Sequence, residues 1–404
     1  MSTSFLYHVC SVQGVKHKAT HFKGGEVIFE VEPKPELFVC SKCTSRNVVR
    51  NGGKERYIRS IKMGMKTSYI RIFCPRLRCK DCGLSRFMSL PFAGRWKPYT
   101  NALARQAWEL SKAMTLKDVS NYLQMDWSTV KEIQKKRLKS KYGKPSLKGL
   151  KNIGVDEICI GKGHRYMTVV IDLDSGRVVF MSKGKEASSL LPFWKKLRRA
   201  KVKLDAVAMD MGPAYISAVQ EHHPNATIVF DHFHVRKLFN EKLSTFRRDL
   251  YHALPDNEQK KVLKGSRWLL LKNSENLDES KSENDRLQKA LDLNEPLSIV
   301  YYMKEDLRQV WYQESKEQAE VKLKEWANKA ASSGINMLKK FSHRLLGCRT
   351  AILAYYDNRL STGPVEAFNN KIKTIQRQAY GYRDQEFYRL KVYASHESRY
   401  ELVG

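Results

Sequence analysis

The stretch from residue 151 to residue 174 constrains the fold most, because it reads as two strands joined by a tight turn. An apolar segment carries Asp156, glycines at 161 and 163 predict the turn, and β-branched residues from Met167 to Ile171 predict the second strand. An unpaired carboxylate buried in such a strand costs roughly several kcal/mol. A divalent metal would remove that cost, whereas an Asp on an edge strand facing water needs no ligand.

The segments that follow predict the rest of an α/β sheet. A strand, a helix with an apolar face, a buried parallel strand and a fifth strand are expected at residues 177–182, 187–200, 204–210 and 226–230. This order is typical of an RNase H-like sheet. Ligands collect at the carboxyl ends of strands in open α/β sheets, so Asp210 is expected where chemistry takes place. Two carboxylates on different strands are what a two-metal phosphoryl-transfer site requires.

The best candidate for a third carboxylate is Glu366. Pro364 suits the first turn of a helix, and this helix would carry Asn369, Asn370 and Lys373 on the same face as Glu366. Such a face offers a metal ligand, two amides and a cation for phosphate contact. A Glu in a first turn is also explained by its favourable interaction with the helix dipole alone.

The charge balance narrows the class of partner. The 404 residues include 73 Lys and Arg against 42 Asp and Glu, which gives a formal net charge of +31. Such an excess favours a polyanionic partner, with nucleic acid first and an anionic membrane second. There is no apolar run of membrane-spanning length and no signal-peptide pattern, so a soluble intracellular protein is expected.

Four of the eight cysteines form two Cys-x-x-Cys pairs, Cys40 with Cys43 and Cys79 with Cys82. Each pair offers two thiolates from one tight turn, and tetrahedral zinc needs two such turns, so a zinc ribbon is predicted. Disulfides are rare inside cells, which leaves unliganded buried cysteines as the alternative. Cys74 could replace Cys79 as the fourth ligand.

Residues 99–138 have the rhythm of a helix–turn–helix. Thr115 with Asp118 predicts one capped helix start, and Asp126 or Ser128 predicts the next. Ordinary helical hairpins share this pattern, although the basic charge favours DNA binding. The residues expected to be buried between the helices are Val119, Leu123, Val130 and Ile133. Candidate DNA contacts are also expected in the basic cysteine block and on the helix of Glu366; the alternative for the cysteine block is a solvated basic face. The full set of candidate DNA contacts is Arg56, Arg59, Ser128, Thr129, Lys131, Lys135, Asn369, Asn370, Lys373 and Arg377.

The remaining segments are mostly helical. Residues 26–32 alternate as a strand does, and residues 135–151 read as a basic linker. Further helices are predicted at residues 239–254, 259–272, 295–311 and 314–331, with a polar loop at 273–285. A basic, aromatic helix is predicted at residues 378–400, where it would pack on the sheet and line the DNA path. Trp268, Trp311 and Trp326 occupy apolar positions, so core packing is expected; the alternative is that one of them stacks on a flipped base or stabilises a hairpin end.

These motifs resemble the ISL-three family of bacterial insertion-sequence transposases, within the Asp-Asp-Glu group. The resemblance rests on residues 40–82, on 155–179, on 209–215 with 231–234, and on 363–373 leading to 377–383. It implies that Asp156, Asp210 and Glu366 are the catalytic triad and hold two Mg²⁺ (or Mn²⁺) ions. It also implies an all-helical insertion between the second and third carboxylates, and it makes Asp231 and His234 neighbours of the site.

The predicted architecture is an α/β RNase H-like catalytic core with an all-α insertion, preceded by a small four-cysteine zinc ribbon with one structural Zn²⁺ and an all-α helix-turn-helix domain. The expected boundaries are residues 1–92 for the N-terminal segment with the ribbon (about 36–90), 93–150 for the helix-turn-helix domain and linker, 151–234 with 345–404 for the catalytic domain, and 235–344 for the insertion.

The expected function is that of a Mg²⁺-dependent DNA transposase. It would bind the terminal inverted repeats of an insertion sequence and carry out phosphodiester hydrolysis and strand transfer in cut-and-paste transposition. Its partners would be double-stranded DNA, at transposon ends and targets, and, by the family likeness, a second copy of the chain or more; its location would be the bacterial cytoplasm, at the nucleoid. The alternatives are a transposase-derived DNA-binding regulator without catalysis, and a structure-selective nuclease on the same fold.

Overall fold

The structure is a computed structural model that describes residues 4–161, 165–230, 232–358, 360 and 363–396, leaving out the side chains of residues 358 and 363–366. The described residues divide into two compact units, one within residues 4–144 and one within residues 145–396. No helix in the described ranges is both long enough and apolar enough to cross a membrane.

The first unit has a mixed sheet followed by three helices. Its elements are α1 (Phe5–His8), β1 (Val15–Lys23), β2 (Glu26–Pro33), β3 (Val48–Met63), β4 (Lys66–Cys79), β5 (Ser85–Phe87), α2 (Asn101–Ala113), α3 (Leu116–Leu123) and α4 (Trp127–Tyr142). The strands lie in the order β1-β2-β4-β3, with β5 paired to β4, and only β2 and β4 run parallel. The predicted strand at residues 26–32 is confirmed. It extends the hairpin between the two cysteine pairs into a larger sheet.

The three helices confirm the predicted helix–turn–helix. Val119, Leu123, Val130 and Ile133 are buried together between them. Thr115 Oγ1 accepts from the Asp118 N–H at 3.2 Å, and Asp126, rather than Ser128, caps α4 by accepting from two backbone N–H groups. The linker predicted from residue 135 is wrong at its start, because α4 continues to Tyr142. No glycine or proline interrupts the helix before Gly143.

The second unit begins with a five-stranded sheet and continues in helices. Its elements are β6 (Asn152–Gly161), β7 (Arg165–Asp172), β8 (Val178–Lys183), α5 (Leu191–Arg199), β9 (Ala206–Met209), α6 (Pro213–His222), β10 (Thr227–Phe230), α7 (His232–Ala253), α8 (Asn257–Gly265), α9 (Arg267–Leu271), α10 (Glu283–Asp292), α11 (Glu295–Arg308), α12 (Lys316–Ser332), α13 (Asn336–Gly347), α14 (Arg349–Asn358), α15 (Gly363–Gln378) and α16 (Gln385–Tyr393). The strand order is β10-β9-β6-β7-β8. Strands β6, β9 and β10 run parallel, and β6, β7 and β8 form an antiparallel meander. This is the predicted RNase H-like sheet.

The helical segments differ from the predictions in three places. The helix predicted at residues 378–400 is shorter than expected, because residues 379–384 are not helical and α16 covers only Gln385–Tyr393. The helix predicted at residues 259–272 is broken into α8 and α9 at Ser266, whose Oγ donates to the Leu263 carbonyl at 2.9 Å. Trp326 is fully buried as predicted, but Trp268 is 67% exposed, so core packing is the wrong prediction for Trp268. The C-terminal helix α16 does pack on the sheet, because the Tyr393 hydroxyl accepts from the Met181 N–H of β8 at 3.1 Å.

Candidate active site and metal centre

The register of two neighbouring parallel strands, β6 and β9, places Asp156 and Asp210 at equivalent positions along the strand direction. The last pair of the β6–β9 ladder joins Gly154 to Ala208, and each carboxylate lies two residues beyond that pair. Residues at equal offsets on adjacent parallel strands point to the same side of the sheet, and neighbouring strands lie about 4.8 Å apart. Asp156 is half-buried and Asp210 is exposed. The two carboxylates therefore lie at the same end of the β6–β9 pair, where β9 stops.

Helix α15 lies against β6 at this end of the strand pair. The amide of Asn369 donates from Nδ2 to Asp156, and Gln376, two turns later, donates to the Ile160 carbonyl. Glu366 is one turn before Asn369 on the same helix, and its side chain lies outside the part that the structure describes. The sequence predicts Asn369 as a DNA contact, whereas the structure places its amide on a candidate metal ligand.

The site has the donor set of a hard divalent cation. Within the described residues, neither Asp156 nor Asp210 forms an ion pair, and the only donors to them are Asn369 and the N–H groups of Glu157 and Met211. The Oδ1 atom of Asn369 is buried and has no hydrogen-bond partner within the described ranges. Carboxylate and amide oxygens are the ligands that Mg²⁺ and Mn²⁺ prefer, so the residues present fit such an ion.

Sequence reasoning missed a polar network beside these carboxylates. Glu157 is half-buried, and burial raises its pKa, against a hydrogen bond from the Tyr215 hydroxyl that lowers it. Tyr215 also lies 3.2 Å from the Thr168 hydroxyl, which lies 2.7 Å from that of Ser189, and burial raises the pKa of Tyr215 to about 12. The network ties α6, which follows Asp210, to the strand that carries Asp156. Glu157 and Tyr215 each lie in a segment on which the family resemblance rests. Their contact joins two separate elements, so no local sequence pattern predicts it.

The four paired cysteines meet in the first unit. The Sγ atoms of Cys40, Cys43, Cys79 and Cys82 all lie within 4.8 Å of one another, and two of the Sγ–Sγ distances are 3.5 and 3.6 Å. A tetrahedron with Zn–S bonds of about 2.3 Å has edges of about 3.8 Å, so the cluster matches a zinc site. Cys74 is buried in the middle of β4, five residues or about 17 Å along the strand from Cys79. The structure thus selects Cys79 over Cys74.

The surroundings shift the pKa values of two of these cysteines in opposite directions. Against a hydrogen bond from the backbone of Ser45 that lowers it, hydrogen bonds with the neighbouring thiols raise the pKa of Cys43 to about 12. Backbone N–H groups of Cys43 and Lys42 lower the pKa of Cys40 to about 6. Asp81, inside the second Cys-x-x-Cys turn, accepts from Ser45 and from Asn47 next to the first turn, and these hydrogen bonds also lower the pKa of Asp81. The two turns are therefore linked to each other independently of a metal.

The predicted DNA contacts fall into two groups. The guanidinium groups of Arg56 and Arg59 are used inside the first unit: Arg56 donates to the Lys97 carbonyl at 2.8 Å, and Arg59 donates to the last carbonyls of the α3 turn, those of Leu123 and Gln124. The others lie on helix surfaces: Ser128 is exposed and Thr129, Lys131 and Lys135 are half-buried on α4, and Asn370, Lys373 and Arg377 are exposed on α15. His234 is half-buried near the start of α7, and Asp231 lies outside the described residues.

A family model described as "Transposase", the DDE model of the ISL3 (ISL-three) group, matches residues 153–392. The chain belongs to the ISL3 transposase family. Two shorter models agree with the first unit: "Helix-turn-helix domain of transposase family ISL3" matches residues 88–138, and "zinc-finger of transposase IS204/IS1001/IS1096/IS1165" matches residues 36–82. The predicted family, fold class and transposase function of this ISL3 protein are confirmed.

Similar individual proteins are also transposases. The chain is 33% identical over 368 residues to the transposase for insertion sequence element IS1001 of Bordetella parapertussis, which covers 90% of each chain. It is 27% identical over 395 residues to the transposase for insertion sequence element IS1557 of Mycobacterium tuberculosis strain H37Rv, covering 90% of this chain and 87% of that relative. Among solved structures, it is similar to the Drosophila P element transposase strand transfer complex, with a TM-score of 0.39, 11% identity, and coverage of 73% and 91% of the two chains.

Proposed function

We propose that this ISL3 transposase cuts and joins DNA at a site formed by Asp156, Asp210 and Glu366. The observation that carries the proposal is that Asp156, on β6, and Asp210, directly after β9, both lie two residues beyond the last β6–β9 pair. Asn369, on the helix of Glu366, donates to Asp156. Two Mg²⁺ or Mn²⁺ ions held by these carboxylates would stabilise the charge on the attacking and leaving oxygens of a phosphodiester.

Hydrogen-bond donors of the chain hold the two aspartate carboxylates in place for the reaction. The N–H groups of Glu157 and Met211 and the amide of Asn369 fix the carboxylate oxygens, so little reorganisation is needed when DNA arrives. Exposed Asn370, Lys373 and Arg377 on α15 are candidates for phosphate contact. Water would first displace the 3′-oxygen at the element's end, and the freed 3′-hydroxyl would then attack a phosphodiester of the target, releasing a target 3′-hydroxyl.

The first unit is proposed to recognise the terminal inverted repeats. Zinc held by Cys40, Cys43, Cys79 and Cys82 would stabilise the ribbon, and α4 would present its first two turns to the major groove. The proposed domains remain residues 1–92, 93–150, 151–234 with 345–404, and 235–344. Pairing of two ends would require a dimer or a higher oligomer on DNA, at the bacterial nucleoid.

The test is cleavage of a labelled duplex in which the element's terminal repeat is joined to flanking DNA, at protein concentrations where two ends are bound. We expect Mg²⁺-dependent cutting at the repeat boundary, its loss in Asp210→Ala, and unchanged repeat binding. Asp205→Ala is the matched control, because Asp205 is an exposed carboxylate at the opposite end of the same strand. Cutting by Asp210→Ala would refute the site. Binding without cutting by the wild type, in Mg²⁺ and in Mn²⁺, would favour a regulator.

A further inference from the structure

A second candidate site lies outside the carboxylates, along helix α7. A groove of about 620 Å³ is lined on one side by α7, at positions repeating every three to four residues from Phe233 to Arg248, and on the other by Arg267 and Leu271 around α9. We call this the α7 groove and define it by Phe233, Arg236, Lys237, Arg248 and Arg267. Nothing in the proposed chemistry uses it.

The α7 groove is strongly basic. Arg236, Lys237, Arg248 and Arg267 face a single carboxylate, that of Glu241. Within the described ranges none of these four cations forms an ion pair, and Arg236 donates to the neutral side chain of Asn273 at 2.8 Å. Four cations that line one groove with a single carboxylate give it an excess of positive charge, which a polyanion would neutralise. The charge therefore indicates a ligand with repeated phosphates.

The groove begins next to the candidate active site. Strand β10 pairs with β9 so that Phe230 lies opposite Met209, the residue before Asp210. Phe233, at one end of the groove, is three residues after Phe230 and is the second residue of α7. From Phe233 to Arg248 the helix extends about 22 Å, which is the length of about six nucleotides at the duplex rise of about 3.4 Å, so a more extended single strand of six nucleotides is long enough to span it. A strand in the groove could thus be continuous with DNA at the carboxylates.

An exposed aromatic side chain beside the groove narrows the kind of nucleic acid. Trp268 is 67% exposed, and the guanidinium of Arg267 lies 4.8 Å from the centre of its ring. Phe233, at the other end, is 41% exposed. Bases stack on such rings, but in a duplex the faces of the bases are already stacked on each other. The combination of cations with exposed rings fits unpaired nucleotides better than a duplex.

We propose that the α7 groove binds a single-stranded segment of DNA leading from the carboxylate site, with its phosphates on Arg236, Lys237, Arg248 and Arg267 and an unpaired base stacked on Trp268. The proposal rests on the transposase function and adds a substrate class to it, namely a DNA end with unpaired nucleotides. Its binding step needs no divalent metal and breaks no bond.

The experiment measures binding of the full-length, zinc-loaded protein to two oligonucleotides without added Mg²⁺, by fluorescence anisotropy. One is a blunt duplex with the terminal repeat, and the other carries a six-nucleotide single-stranded extension. We expect the double variant Lys237→Ala with Arg248→Gln to lose affinity for the extended DNA and to lower its salt slope by about 1.4, or about 0.7 per cation removed. Binding of the blunt duplex should not change. Lys242→Ala is the matched control, since Lys242 is exposed on the same helix but outside the groove.

Trp268 provides an independent readout. Trp268→Ala should weaken binding of the extended DNA by about 5- to 150-fold, the range expected for one stacked base, and leave blunt DNA unaffected. Trp268→Phe should retain much of the affinity but lose the quenching of tryptophan emission that the extended DNA causes. Equal losses for both DNAs, or no loss for either, would overturn the proposal. These experiments measure binding and not cleavage, so they test the groove even if the carboxylates prove not to be catalytic.

Discussion

Asn369 is one of two side chains of α15, with Gln376, that donate to the strand of Asp156, and it is the one that contacts the carboxylate. Its Nδ2 donates to the carboxylate, and its Oδ1 is buried without a partner in the described part of the chain. Residues that orient metal ligands typically contribute about 10- to 100-fold to activity. Asn369→Leu should therefore reduce single-turnover cleavage by about that factor, without weakening repeat binding.

Asn370→Ala is the control for this prediction, because Asn370 is the next residue on the helix and is exposed. Its cleavage rate should stay much closer to that of the wild type. If Asn369→Leu cleaved as fast as the wild type, the contact would have no role in orienting Asp156.

His223 makes folding sensitive to acid. Its pKa is lowered by burial and by the neighbouring His222, and both imidazoles lie against Trp194, at 5.5 and 5.9 Å between ring centres. In the unfolded chain a His has a pKa near 6.5, so protons bind the unfolded state more readily. The free energy of unfolding should fall as the pH drops below about 6.5.

The measurement is the melting temperature at pH 7.5 and pH 5.5. His223→Gln, which stays neutral, should reduce the difference between the two values. An unchanged difference in this variant would show that other groups cause the acid sensitivity.

Arg59 illustrates which residue roles the sequence conceals. Its basic neighbourhood predicts a DNA contact, but its guanidinium donates to carbonyls at the end of α3, more than 60 positions later in the chain. The composition of the segment shows that it is basic, but it does not show which group each cation contacts. By contrast, Thr115 and Asp126 could be predicted as caps, because each bonds to a backbone group two or three residues away.

At the scale of elements, the two cysteine turns define a metal site that can be tested by substitution. Cys79→Ser should lose the bound zinc and lower the melting temperature, because a structural site needs all four thiolates. Cys74→Ser should keep one zinc per chain, because Cys74 lies outside the cluster. Zinc content would be measured by atomic emission. Retention of zinc by Cys79→Ser with loss in Cys74→Ser would reverse the assignment.

Strands were easier to predict than the environment of the helices. Each strand of the second unit is a short apolar run, and its order in the chain limits the sheet to few topologies. Helical periodicity tells which positions are apolar, but it does not tell whether another element covers them. Trp268 occupies an apolar position on α9, a helix of five residues, and yet is 67% exposed. The network of Glu157 and Tyr215 was missed for a related reason, since it joins distant segments.

For the whole molecule, the net charge of +31 predicts strongly salt-dependent DNA binding. Proteins that neutralise six to ten phosphates lose about 10³- to 10⁵-fold in affinity between 50 and 200 mM salt. We expect a loss of at least about 10³-fold for a duplex without the terminal repeat, measured by anisotropy. Asp210→Ala should give the same slope, because one exposed carboxylate changes the total charge little. A loss below about tenfold would mean that most of the cations face away from DNA.

The order of functions along the chain has a consequence for synthesis on the ribosome. The zinc ribbon and the helix–turn–helix are complete by residue 144, whereas Asn369 and the helix of Glu366 are made last, after the helices that follow β10. A polypeptide released early would carry the proposed repeat-binding surface without the contact between α15 and β6. Such a fragment would occupy transposon ends without cutting them, so interrupted translation would lower transposition by competition as well as by loss of enzyme.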